Sequence, residues 1–194
     1  MNTPKHNLSE DEIISQMAEH YRAIIELCGE DPTREGLVKT PVRAAKAMYF
    51  ATKGYRESAS EVMKQAIFEY AGSKIIVVKD IEFYSLCEHH ILPFFGTISI
   101  GYIPNGNMIG LSKLARVVNV FARRLQVQER LTAQVCKAVG ESLAAHGVIV
   151  ACKADHLCMK MRGVEKQNSS TVTLEYSGRF AENPGLREEF MRMI

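Results

Sequence analysis

The chain has 194 residues and a formal net charge of +2, with 46% hydrophobic and 24% charged residues. This length and composition predict one globular domain, or one domain with an appendage, and exclude a fibrous or largely disordered protein. Basic residues concentrate in segment 111–137 of an otherwise near-neutral chain. That distribution favours a small polyanionic ligand over a nucleic acid, which usually demands a broader basic face.

The cysteine pattern and the length of the uncharged runs predict the cellular compartment of the protein. The five cysteines are irregularly spaced, at Cys28, Cys87, Cys136, Cys152 and Cys158. An odd and irregular set is not a disulfide framework, so it predicts a reducing compartment with thiols available for metal. No uncharged run approaches the length of a membrane span, and the N-terminus lacks a signal-peptide pattern. We therefore expect a cytoplasmic protein that has no membrane segment.

Apolar residues recur at helical spacing in the first part of the chain. Ser9 and Glu12 form a capping box that predicts one helix start, and Thr40 as N-cap with Pro41 as the first helical residue predicts another. The expected helices run over 9–28 and 40–53, with a shorter piece near Glu61–Phe68. Residues 1–8 are predicted to be a polar tail. Residues 1–73 are thus predicted to form an N-terminal helical region.

From Lys74 onward the periodicity changes to that of strands. The predicted strands are Lys74–Ser85, Gly96–Ile103, Val148–Lys160 and Ser170–Gly178. A helical stretch from Ser112 to about Ala145, broken near Leu125–Gln126, separates the two strand pairs. This order predicts that residues 74–194 form an α+β domain, an antiparallel sheet with two helices on one face.

A split set of metal-ligand residues is the strongest chemical signal. Cys87 and His90 are three residues apart, so one tight turn can present a thiolate and an imidazole to the same ion. Cys158 can supply a third ligand from a distant strand. Two Cys and one His are zinc ligands, and three protein ligands leave the fourth position open for water, as in catalytic sites.

A structural zinc site, the alternative, would need a fourth protein ligand. The candidates are His89, His156 and Cys152. Cys152 lies about 20 Å along the predicted strand from Cys158, so an open site is favoured. In that strand His156, Cys158 and Lys160 share one face, in line with Arg162. His89 and His156, each beside a ligand, would then be free for proton transfer.

Two further segments have weaker signals. Gly110–Arg116 opens a predicted helix, whose free N–H groups and dipole favour anions. There Ser112 can cap the helix and contact phosphate oxygens, while Lys113 and Arg116 share one side of the first turn. Gln128 and Glu129 place an amide beside a carboxylate, which suits the two donors on the guanine edge. A solvated basic helix face and an ordinary helix-start Glu are the alternative explanations.

Five motifs, taken in order, resemble the GTP cyclohydrolase I family. They are Cys87–His90, Gly101–Pro104, Gly110–Arg116, Gln126–Thr132 and His156–Gly163. The resemblance extends from about Thr40 to Phe180. It implies the tunnelling fold and a homodecamer of two pentamers with active sites between subunits. It also implies conversion of GTP and water to 7,8-dihydroneopterin triphosphate and formate, the first step towards folate and tetrahydrobiopterin.

The resemblance also implies a role for each matching residue. Zn²⁺ is held by Cys87, His90 and Cys158 and activates the water that attacks C8 of the purine. His156 exchanges protons around the purine N7 and C8, and His89 acts at the ribose ring oxygen. The implied substrate contacts are Arg43, Ser112, Lys113, Arg116, Gln128, Glu129 and Arg162, with Arg43 reaching the triphosphate from a neighbouring subunit.

Two other functions compete with this one. A relative with the same fold could act on another pterin or a deazapurine, but the phosphate-ready helix start favours a triphosphorylated purine. A zinc-stabilised protein that only binds nucleotide would leave His89 and His156 without a role. We therefore expect an enzyme that acts on GTP and binds no nucleic acid.

Overall fold

The computed structural model describes residues 7–194, so most of the polar tail predicted over residues 1–8 lies outside the described residues. Contacts divide the chain into two compact units, the first ending at Arg56. The first unit contains α1 (Glu10–Leu27), α2 (Thr40–Ala51) and a 3-10 turn at Lys53–Arg56. Ile14 and Ala18 of α1 pack against Ala45 of α2.

Both helices of this unit begin close to the predicted positions, but the expectation that Thr40 caps the second is wrong: Lys39 is the N-cap of α2 and Thr40 is its first residue. The Ser9 hydroxyl accepts a hydrogen bond from the Glu12 amide, and the Glu12 carboxylate accepts one from the Ser9 amide at 2.7 Å. These reciprocal bonds satisfy amide donors that the first turn of a helix leaves unpaired. Pro41 sits in the first turn of α2, where its missing N–H costs nothing.

The second unit, Glu57–Ile194, contains the remaining elements. Its helices are α3 (Ala59–Lys64), α4 (Leu111–Ala122), α5 (Gln128–Leu143), α6 (Leu157–Lys160), α7 (Arg179–Glu182) and α8 (Pro184–Met193). Its strands are β1 (Ile67–Glu69), β2 (Ile76–Cys87), β3 (Pro93–Ile103), β4 (Asn107–Ile109), β5 (Leu125–Gln126), β6 (Gly147–His156) and β7 (Thr171–Gly178).

One five-stranded sheet organises this unit, in the order β5-β2-β3-β6-β7. All its pairings are antiparallel except the short parallel contact of β5 with β2. α4 and α5 pack on one face through a large apolar core, and Phe180 and Phe190 of the last two helices cover part of the other. The predicted α+β architecture, with two helices on one face of the sheet and a helical N-terminus, is confirmed.

The compact units divide earlier than the boundary predicted at residue 73. α3 packs against α4, and β1 pairs with β4, so the segment after Arg56 groups with the sheet. The predicted helix near Glu61–Phe68 is therefore partly wrong: its end, from Ile67, is a strand. Three-residue strands contain too few residues to establish a period, so the sequence pattern missed β1 and β4. Among the described residues, no helix is both long and apolar enough to cross a membrane.

The strand predicted to continue to Lys160 is also wrong in its last part. β6 ends at His156, which pairs with Phe94, and residues 157–160 form a helical turn. The ladder ends there because β3 begins at Pro93, which has no N–H to donate. Cys158 and Lys160 therefore do not share a strand face with His156.

Candidate metal centre and active site

The turn between β2 and β3 presents the first two candidate ligands. The Cys87 amide donates to the Leu92 carbonyl, and the Ile91 amide donates to the Cys87 carbonyl, both at 2.8 Å. Ile91 has a φ of +55°, which is uncommon for a β-branched residue and marks a tightly constrained turn. Within this turn the Cys87 Sγ lies 3.9 Å from the His90 Nδ1.

Cys158 joins this pair because the chain leaves the sheet in the short helix α6. The candidate ligand atoms of Cys87, His90 and Cys158 all lie within 4.8 Å of one another. Zinc binds thiolates at about 2.3 Å and imidazoles at about 2.0–2.1 Å, so a small inward movement would bring all three donors onto one ion. The donor types and their separation therefore fit zinc.

The closeness of Cys87 and Cys158 also affects the pKa of the Cys158 thiol. Burial raises the pKa of Cys158, and the neighbouring Cys87 raises it further. Two thiolates held this close repel each other, so without a cation the protonated forms are favoured. A bound divalent cation reverses this preference, because thiols bind metal as thiolates.

His89 lies beside the three-donor cluster. Its side chain is 64% exposed, and its Nδ1 lies 3.8 Å from the Cys87 Sγ. Among the described residues, the group that could hold a metal consists of Cys87, His90 and Cys158. His89 is thus available for other chemistry at the edge of the cluster.

An ion pair ties the ligand turn to α5. Arg130 makes a bidentate contact with the Glu88 carboxylate, at 2.5 and 2.9 Å, and holds the pKa of Glu88 below its usual value. The Glu88 amide also donates to the Gln126 carbonyl at 3.0 Å. The role of Arg130 could not be predicted from the sequence, because no spacing rule links two residues on separate elements. The only available signal was the pair of opposite charges inside two motifs of the resemblance.

His156 is held by two contacts at the end of β6. Its ring stacks on Phe94, with centroids 4.7 Å apart and planes 3° from parallel. Its Nε2 lies 2.8 Å from the Gln128 Oε1. Burial lowers the pKa of His156, although the charges of Glu129 and Asp155 act in the opposite direction. Phe94 could not be predicted as a site residue, because it occupies an ordinary apolar strand position.

The predicted anion-binding residues lie on two helices and in the turn after a third. α4 begins at Leu111 with Gly110 as its N-cap, so the expectation that Ser112 caps the helix is wrong. The Lys113 Nζ donates to the Gln65 Oε1 at 2.7 Å, and Arg116 is exposed. Arg162 is exposed after α6, and its positive charge acts on Cys158. Arg43 is exposed on α2, in the first unit.

The two residues predicted to bind guanine have different environments. Glu129 is exposed in the first turn of α5. Gln128 is 1% exposed, and the hydrogen bonds of its side-chain amide go to other protein groups. An exposed carboxylate can receive a ligand directly, whereas Gln128 would first have to break these bonds.

Comparison with known proteins identifies the family. The family model described as GTP cyclohydrolase I matches residues 17–194. GTP cyclohydrolase 1 of Porphyromonas gingivalis is 54% identical, over 96% of this chain and 96% of its own length. GTP cyclohydrolase 1 of Homo sapiens is 51% identical, over 93% of this chain and 72% of its own length.

Among solved structures, the apo crystal structure of the archaeosine synthase QueF-Like is 16% identical to this chain. It superposes with a TM-score of 0.43 over 56% of this chain and 97% of its own length. The family match and the curated relatives lead to one conclusion: this chain belongs to the GTP cyclohydrolase I family and is an enzyme.

Proposed function

We propose that this enzyme converts GTP and water to 7,8-dihydroneopterin triphosphate and formate, with zinc as its metal. One observation carries the proposal: Cys87, His90 and Cys158 bring two thiols and an imidazole within 4.8 Å, although Cys158 is far from the others in the chain. His89, adjacent in sequence to His90, and His156, two residues before Cys158, supply the proton-transfer groups. The similarity to GTP cyclohydrolase 1 relatives supports GTP as the substrate.

The three ligands would hold the metal and leave one position open. Zinc in such a site supplies Lewis acidity, which lowers the pKa of water towards ~7 and so provides a nucleophile at neutral pH. The protein holds the ligands in place through the Glu88–Arg130 pair and the hydrogen-bonded turn that starts at Cys87.

The two histidines divide the proton transfers between them. His156 exchanges protons around the purine N7 and C8 as the imidazole ring opens and formate leaves. Its lowered pKa suits this role, because a neutral imidazole is ready to accept a proton at neutral pH. His89, at the exposed side of the ligand turn, transfers a proton at the ribose ring oxygen before the sugar rearranges and the new ring closes.

The substrate is held at its two ends. Glu129 pairs with the two adjacent donors of the guanine edge, and Gln128 lies next to it at the start of α5. Ser112 is in the first turn of α4, where free amides and the helix dipole favour phosphate. The cations proposed for the triphosphate are Lys113, Arg116, Arg162 and Arg43, the last from a neighbouring subunit.

A homo-oligomer, expected to be a homodecamer, would complete these sites. The sheet order makes β7 an edge strand, and its apolar side chains are unusually exposed. Val172 is 63% exposed, Leu174 41% and Tyr176 39%. Exposed apolar groups on an unpaired edge favour pairing with another chain. The product would feed folate or tetrahydrobiopterin synthesis in the cytoplasm, a location supported by five cysteines that form no disulfide.

The test is incubation of the zinc-loaded protein with GTP. Formate release is followed directly, and the pterin is detected by its fluorescence after oxidation. The proposal expects both products in equal amounts, and expects neither after the metal has been removed by a chelator. Fully zinc-loaded protein that releases no formate from GTP would refute the proposed reaction.

A further inference from the structure

We propose that Gln128 is a positioning residue, which holds His156 as the neutral tautomer with its proton on Nε2, and does not contact the substrate. This inference rests on the proposed function for the role of His156, because it names the atom through which that histidine works. The hydrogen-bond network around Gln128 carries it.

The orientation of the Gln128 amide follows from its neighbours. Its Nε2 lies 3.1 Å from the Cys152 carbonyl oxygen and 3.1 Å from the Thr171 carbonyl oxygen. The Thr173 Oγ1 lies 3.2 Å from the same nitrogen. Carbonyl oxygens only accept hydrogen bonds, so the atom that faces them must be the amide nitrogen. The Oε1 is therefore the atom that faces His156.

The tautomer of His156 follows from that orientation. An amide oxygen only accepts, so the His156 Nε2, 2.8 Å away, must be the donor and must carry a proton. In a neutral imidazole, a proton on Nε2 leaves the lone pair on Nδ1. Among residues 7–194 of this one chain, Nδ1 has no hydrogen-bond partner. Stacking on Phe94 fixes the ring plane, so Nδ1 is the atom left to receive a proton.

The same network argues against contact between Gln128 and guanine. The side chain is 1% exposed, and its oxygen and nitrogen both have protein partners on β6 or β7. Binding guanine would break bonds that link the start of α5 to these two strands. Glu129 is exposed and needs no such rearrangement. Guanine recognition thus falls to Glu129, and the amide beside it orients the histidine.

Solid-state ¹⁵N NMR of the zinc-loaded, histidine-labelled protein reads the tautomer directly. The His156 signals are assigned by comparison with the His156→Asn variant. The prediction is a protonated Nε2 and an unprotonated Nδ1 at a pH where the ring is neutral. A protonated Nδ1 would overturn the proposal. This readout does not depend on activity, so it separates failure of this inference from failure of the proposed reaction.

Kinetics of Gln128→Met separate a positioning role from a substrate contact. Loss of the acceptor frees His156 to change tautomer and orientation, so kcat should fall roughly 10- to 100-fold, less than the ~10²- to 10⁴-fold usual when the acid–base group itself is removed. The Kd for GTP, measured by direct titration, should stay within about twofold, because no interaction with bound substrate is removed. A raised Kd with unchanged kcat would make Gln128 a substrate contact and overturn the proposal.

Two further variants serve as controls. Thr173→Val removes one acceptor of Gln128 and the hydroxyl contact with Thr132, but leaves the bond to His156. Its kcat should remain close to that of the unmodified enzyme, and a loss equal to that of Gln128→Met would indicate a general packing effect and refute the proposal. Gln128→Glu keeps an acceptor oxygen towards His156, but its second oxygen would face the Cys152 and Thr171 carbonyl oxygens, so it fits this buried position only as the protonated acid, whose hydroxyl donates to one of them. In that form it should retain the protonated Nε2 of His156, and a His156 protonated on Nδ1 in this variant would contradict the inference.

Discussion

Gln128 and Glu129 are adjacent in the chain, yet one is buried and the other faces solvent. The motif predicted that both act in the site, but a sequence pattern cannot tell which residue of a helix start turns inward. That outcome depends on where β6 and β7 lie, because their carbonyl groups bind Gln128. By contrast, Cys87 and His90 could be predicted as a pair, because three-residue spacing within one turn is a local property.

The five cysteines differ in solvent exposure, and chemical labelling can measure the resulting difference in their reactivity. Burial raises the pKa of Cys136 to about 11 and that of Cys152 to about 12, whereas Cys28 is exposed. At pH 8 the thiolate fraction of Cys152 is then roughly one in ten thousand. We expect iodoacetamide to modify Cys28 first, with Cys136 and Cys152 modified only on unfolding or at strongly alkaline pH. Mass spectrometry measures the rate of modification at each cysteine. If Cys152 in the folded protein reacted as fast as Cys28, its assignment as a buried thiol would be contradicted.

Paired variants distinguish ligands from proton-transfer groups. His156→Ala should keep stoichiometric zinc while turnover falls ~10²- to 10⁴-fold, because it removes only an acid–base group. Cys158→Ser should lose most of its zinc, because one of the three ligands is gone. Elemental analysis and formate release on the same preparations give both numbers. Zinc loss in His156→Ala would make His156 a fourth ligand and revive the structural-site alternative.

At the scale of the elements, long periodic segments were predictable and junctions were not. The break between α4 and α5 near Leu125 could be predicted, because helical periodicity stops there and β5 intervenes. The end of β6 could not, because residues 157–160 continue an alternating pattern and only the partner strand decides where the ladder stops. The helical turn that results brings Cys158 to the ligand cluster, so this error concerned the site itself.

The contact between α5 and the ligand turn makes a second prediction at this scale. Arg130→Met should weaken zinc binding about 10- to 100-fold, the usual effect of removing a group that orients metal ligands. A competition titration with a chromogenic chelator measures the change. Arg130→Lys keeps the charge but loses the bidentate geometry, so its zinc affinity should lie between those of the unmodified enzyme and Arg130→Met.

The control is Arg34→Met, which removes an exposed pair with Glu30 in the segment that connects α1 and α2, outside the sheet unit. Exposed pairs of this kind contribute little to stability, so zinc affinity should not change in this variant. Unchanged zinc affinity in Arg130→Met would mean that the backbone bonds of the turn suffice to hold the ligands.

For the whole molecule, the order of strands and helices was sufficient to predict the α+β class. Two strands, two helices and two strands leave few ways to cover one face of a sheet. The boundary between the two compact units was harder to predict from the sequence, because α3 and β1 group with the sheet through contacts between residues that are distant in the chain. Subunit assembly is a property of exposed surfaces, which become visible only once the sheet edges are known.

The edge strand β7 provides the prediction for assembly. Replacing Val172 and Leu174 with Lys should convert the proposed oligomer to smaller species, because charges on an apolar edge oppose strand pairing. Size-exclusion chromatography with light scattering gives the mass. Val172→Ile, which keeps the surface apolar, is the matched control and should preserve the oligomer. A double Lys variant of unchanged mass would exclude this face of β7 from the interface.

Zinc content and formate release, measured on the same preparations of the enzyme titrated from metal-free to fully loaded, test the proposed reaction most directly. We expect the rate of formate release from GTP to rise in proportion to zinc, to saturate at one zinc per chain, and to match the rate of pterin formation. Full zinc occupancy without formate, or formate release that persists in the metal-free protein, would contradict the proposed reaction.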